Sequence, residues 1–81
     1  MEVTKTMCIM ARGGRSGVFI ADTIFIDGIP HVVFEWELQP DGSEKPIHLV
    51  KLDPRYFHPV VGQGDATHMY EHPISDPRVF D

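Results

Sequence analysis

Apolar and polar residues alternate most regularly between His31 and Gln39, where Val32, Phe34, Trp36 and Leu38 share one face and His31, Val33, Glu35, Glu37 and Gln39 the other. A period of two is the pattern of a half-buried β-strand. Upstream, Val18, Phe19, Ile20, Ile24, Phe25 and Ile26 surround Ala21-Asp22-Thr23 in the segment richest in strand formers. The polar pair at its centre suits a bulge, or a bend between two short strands. Asp27-Gly28, set between Ile26 and Ile29, favours the positive backbone angles of a two-residue hairpin turn. Pro40-Asp41-Gly42-Ser43 marks a second turn, and Ile47 to Leu52 a returning strand stopped by Asp53-Pro54. The pattern predicts a three-strand antiparallel meander from Val18 to Leu52.

Register decides which side chains meet. Placing Leu38 opposite Pro46 sets Trp36 against His48, Phe34 against Val50 and Val32 against Leu52, and brings Pro30 to Pro54 where pairing ends. Val18, Ile20, Ile24, Val33, Ile47 and Leu49 then fall on the second face, which is too apolar to be fully wetted. Such a sheet must curl into a barrel, or cover that face with another segment or a second subunit.

At the amino end, residues 3–10 read as a further strand, and Ala11 to Gly17, with three glycines, as a flexible loop. After Leu52, Asp53 is placed to cap one helical turn with Pro54 at its first position, which lets Tyr56 and Phe57 plug an open end of the barrel. From His58 onward, prolines at 59, 73 and 77 and glycines at 62 and 64 predict an irregular tail, with a short helical turn around Ala66 to Glu71. The expected fold is mainly β: a small SH3-like barrel or roll over residues 1–58, followed by an irregular extension over 59–81. The likeness to SH3 barrels is architectural, and no family resemblance is drawn from it.

Composition narrows the function classes. The 81 residues carry a net charge of −5, divided as +2 over the first 21 and −7 over the rest. A broad phosphate-binding surface is disfavoured, while a local basic patch near the N-terminus is not. Cys8 is the sole cysteine, so an intramolecular disulfide and a cysteine-based zinc site are excluded, and a reducing, cytoplasmic setting fits. The apolar stretch Met7 to Ala11 is too short for a signal-peptide core or a membrane span.

Candidate chemistry is sparse. His68 and His72 would share a helix face and a metal, but the glutamate of the zinc-hydrolase motif is missing after His68 and Pro73 would end the helix. His48 is a possible general base without an evident nucleophile, since Cys8 lies in an apolar strand and reads as core. Glu35 and Glu37 share a strand face and read as solubilising charges. Arg12 and Arg15, flanking Gly13-Gly14, could pair with phosphates, although a strand follows where the phosphate-loop motif needs a helix. No cofactor, catalytic or metal residue is assigned. The candidate binding residues are Arg12, Arg15, Trp36, His48, Tyr56 and Phe57.

The resulting expectation is a non-enzymatic binding or accessory module that contacts a protein partner or itself, as in a homodimer, through its second apolar face. The alternatives are nucleic-acid or phosphate binding at Arg12 and Arg15, and a small histidine-dependent metal protein or enzyme.

Overall fold

The computed structural model describes residues 2–12 and 15–74, with side chains over 2–10 and 17–74. Six strands form one sheet: β1 (Thr4–Arg12), β2 (Arg15–Ile26), β3 (Ile29–Leu38), β4 (Glu44–Lys51), β5 (Phe57–Gln63) and β6 (Ala66–Ile74). Their order is β4-β3-β2-β1-β6-β5, with β1 and β6 parallel and every other pair antiparallel. The predicted meander is present as β2-β3-β4. The predicted barrel is not, because the sheet stays open, with β4 and β5 as its edges.

The chain itself explains why the open sheet is curled. Only residues 52–56 join edge strand β4 to edge strand β5, and three of them, Pro54–Tyr56, form a 3-10 turn. Fully extended, that link spans about 20 Å. A flat six-stranded sheet would separate its edges by about 24 Å. The sheet therefore bends around one face, where Cys8, Ala21, Val32, Leu52, Tyr70 and Ile74 form the core and Phe19, Phe34, Val50, Tyr56 and Phe57 pack against it. Across the curl the rings of Phe25 on β2 and Phe57 on β5 meet edge to face at 5.7 Å.

Both turns follow their residues. Asp27 and Gly28 have φ of 54° and 79°, which pairs Ile26 with Ile29 as the two-residue hairpin requires. In the second hairpin the Gly42 amide donates to the Gln39 carbonyl, and Gly42 itself sits at φ 89°. The Gln39 amide then donates to the Ser43 carbonyl and closes a three-residue loop. This turn sets Leu38 opposite Glu44, Trp36 opposite Pro46 and Val32 opposite Val50, two residues from the expected register. A shift of two alone would keep every side chain on its face, but the irregular pairing between Val33 and Trp36 turns Trp36, expected to share the face of Val32 and Phe34, to the opposite one. Trp36 and His48 are thereby no longer opposite one another.

Other expectations are corrected. β2 is one continuous strand. Its polar pair Asp22-Thr23 is where it overlaps both neighbours, pairing with β1 from Arg15 to Thr23 and with β3 from Asp22 to Ile26. The predicted loop over 11–17 is mostly ladder, with Ala11 opposite Ser16 and Arg12 opposite Arg15; Gly13 and Gly14 lie outside the described residues. Asp53 does cap the 3-10 turn, accepting from the Arg55 amide, with Pro54 in the first turn.

The expected irregular tail and helical turn are instead β5 and β6, joined around Gly62 and Gly64, which have φ of 78° and 64°. Pro59 sits on an edge strand, where a missing amide donor is tolerated. Pro73 lies within the register shift between β1 and β6, just before Ile74 pairs with Met10. Residues 75–81, the rest of the predicted tail, lie outside the described residues.

Candidate functional site

The outer face of the sheet carries the second set of alternating residues: Lys5, Met7 and Ile9 on β1 opposite Asp22, Ile20 and Val18 on β2. On this face the structure covers two of the apolar residues expected to need cover, Ile24 and Val33, and half-buries Leu49. Val18 and Ile20 stay 64% and 49% exposed, and Ile47 is exposed too. Met69 of β6 lies on the other side of Met7. Val18, Ile20, Met7, Ile9 and Met69 thus make one apolar patch across three adjacent strands.

Polar pairs bound that patch. At one end Lys5 Nζ lies 2.8 Å from Asp22 Oδ1, and at the other His58 Nε2 lies 3.3 Å from Glu71 Oε1. The hydrogen bond to Asp22, followed by its charge, holds Lys5 above the usual lysine range. An apolar centre inside a polar rim is the usual anatomy of a protein contact surface.

Trp36 reaches this face through the irregular pairing at Val33 to Trp36, and its indole Nε1–H donates to Asp22 Oδ2 at 3.1 Å. A cleft of about 420 Å³ lies there, lined by Val3, Asp22, Trp36, Ser43 and Glu44. His48 goes elsewhere, buried with its ring 5.5 Å from Phe34. The two candidates that the sequence placed side by side are therefore separated.

With no barrel there is no open end for Tyr56 and Phe57 to plug; both instead pack against the core of the curled sheet, and each also stacks on a histidine of β6. Phe57 lies 4.8 Å from His68 with nearly parallel rings, and Tyr56 lies 4.8 Å from His72. The Arg55 guanidinium stands 5.5 Å from the Tyr56 ring, and the Asp53 amide donates to the Tyr70 hydroxyl at 3.0 Å.

His68 and His72 lie on a strand rather than a helix, and four residues of strand span about 13 Å, too far to share a metal ion. Among the described residues no group of three or more His, Cys, Asp or Glu is arranged to hold a metal. Cys8 is fully buried, and burial pushes its thiol up to about 12, which matches the core reading. Glu35 and Glu37 are both exposed. Arg12 and Arg15 face each other in the β1–β2 ladder, while their side chains lie outside the described set.

Sequence reasoning missed Val3, Asp22, Ser43 and Glu44 as a group. One signal was present: an aspartate inside the most apolar strand of the chain needs a partner. Lys5 and Trp36, the partners it finds, are 17 and 14 residues away along the chain.

The fold and these surfaces define a small open-sheet β module with an apolar outer face. No family model matches the chain, and no curated protein or solved structure matches it. Among the described residues no helix is long and apolar enough to cross a membrane.

Proposed function

We propose that this chain is a small non-enzymatic binding module that associates with a protein surface, its own copy first, through the outer face of β1, β2 and β6. The observation that carries this reading is the patch of Met7, Ile9, Val18, Ile20 and Met69, apolar at its centre and rimmed by the Lys5–Asp22 and His58–Glu71 pairs. An apolar patch without charge at its centre is complementary to itself, as a two-fold contact requires. A reducing, cytoplasmic setting suits the lone buried thiol of Cys8.

Sedimentation velocity over a micromolar concentration series tests the proposal. The expected result is a dimer that Ile20→Lys converts to a monomer with an unchanged far-ultraviolet circular dichroism spectrum. A wild-type chain that stays monomeric at every concentration would overturn self-association.

A second reading rests on the direct opposition of Arg12 and Arg15 in the ladder, which concentrates two guanidinium-bearing residues at one hairpin end. It expects salt-sensitive binding of a labelled single-stranded oligonucleotide, lost in the Arg12→Ala, Arg15→Ala double variant. Absence of binding at low salt disposes of it.

A further inference from the structure

The cleft beside Trp36 has a chemistry of its own, apparent from what its side chains have left to offer. The indole N–H of Trp36 is already committed to Asp22 Oδ2, so toward a ligand the ring presents only its π-system. Asp22 accepts from Trp36 on one oxygen and from Lys5 on the other, and each carboxylate oxygen keeps a second lone pair. The Ser43 hydroxyl donates to Asp41 Oδ1 at 2.6 Å, which leaves its oxygen as an acceptor. Glu44 is exposed, and among the described residues its carboxylate has no hydrogen-bond or ion-pair partner. Val3 supplies an apolar wall.

Every lining side chain is therefore an acceptor, a π-face or a hydrocarbon, and none holds a spare donor. The complementary ligand is a cation with several N–H donors on an apolar stem. An anion would meet two carboxylates and no free donor among these side chains. The volume of about 420 Å³ lies within the range of small-ligand sites.

We infer that the cleft formed by Val3, Asp22, Trp36, Ser43 and Glu44 binds an alkylammonium or alkylguanidinium group, either of a free amine or of a lysine or arginine side chain. Glu44 supplies the net negative charge, Asp22, whose charge Lys5 already offsets, contributes its remaining lone pairs, Trp36 offers its π-face, and Val3 takes the stem. The site does not depend on the association proposed above, although it adjoins the same face through Asp22.

Trp36 is the sole tryptophan of the chain, so intrinsic fluorescence reports this cleft alone. The titration is run on a Val18→Ser, Ile20→Ser variant, which breaks the apolar patch without placing a new cation beside Asp22, so that association of copies neither covers nor mimics the signal. The probes are butylammonium chloride, N-acetyl-lysine methylamide and N-acetyl-arginine methylamide, with potassium chloride and sodium acetate at matched ionic strength as controls.

Saturable changes are expected with the three cations and not with the controls. Glu44→Gln, at an exposed position, should weaken binding by about two- to fivefold, the size of one exposed ion pair. Heteronuclear spectra should move the indole N–H and the Ser43 amide together. Tighter binding of the two amino-acid amides than of butylammonium assigns a peptide side chain as the source, and the reverse order assigns a free amine. A response that does not saturate, that potassium or acetate reproduces, or that Glu44→Gln leaves unchanged would overturn the assignment.

Discussion

Trp36 donates its indole N–H to Asp22 at 3.1 Å, tying the irregular stretch of β3 to the one point where β2 overlaps both of its neighbours. Asp22 also receives Lys5, so a single carboxylate links β1, β2 and β3 on the outer face.

Asp22→Ala should lower stability by about 1–2 kcal/mol, chiefly by leaving the half-buried indole N–H without its acceptor. Lys5→Ala should cost much less, because that side chain is half exposed. Urea unfolding followed by circular dichroism checks both, and equal losses would mean that the ion pair, not the indole, dominates.

Thr6 and Thr23 are both fully buried, and the Thr23 hydroxyl donates to the Thr6 hydroxyl at 2.7 Å. Replacing Thr23 alone by Val strands a buried hydroxyl and should cost about 1–3 kcal/mol. The Thr6→Val, Thr23→Val double variant removes both partners while keeping the shape. Its loss should fall short of the sum of the single losses by more than about 0.5 kcal/mol in a double-mutant cycle.

Cys8 should resist alkylating reagents in the native state and react only as the chain opens, with a rate that rises with urea. Burial disfavours the thiolate and pushes this thiol up to about 12 from an ordinary 9.0. Above pH 9 the unfolded chain loses this proton first. Stability should therefore fall between pH 9 and 12, and Cys8→Ala should flatten that part of the profile.

Asp53 has the opposite sign. The side-chain hydrogen bond from Arg55, followed by the Arg55 amide, holds its carboxyl down at about 2 against an ordinary 3.8. Its contribution to the 3-10 turn is complete above the ordinary value and is lost as pH falls through about 2. In Arg55→Ala the carboxyl titration, read by carbon-detected resonance, should move back toward 3.8.

Gly28→Ala should destabilise the first hairpin by about 1 kcal/mol, because Gly28 sits at φ 79°. An added Cβ would meet nothing within 4 Å, so the cost is conformational rather than steric. Thermal unfolding should register a drop of several degrees.

What the sequence determined by itself was local. Asp27-Gly28 fixed a tight hairpin because two adjacent positive φ angles are cheap only for such residues, and Asp53-Pro54 fixed a capped turn because cap and ring geometry act within one turn. Alternation over 31–39 fixed a half-buried strand, and with an assumed pairing it also showed a surplus of apolar residues on the second face, of which Val18, Ile20 and Ile47 stay exposed.

Tertiary structure decided the rest, because it depended on partners far apart in the chain. β5 and β6 read as an irregular tail, since their prolines and glycines suppress the strand pattern. They are strands because β1 offers a free edge to β6, and that parallel pairing joins residues about sixty apart. The same holds for the candidate site: nothing local connects Val3, Asp22, Trp36 and Glu44. A five-residue link too short for a flat sheet forces the curl, and the irregular pairing of β3 with β4 carries Trp36 to Asp22.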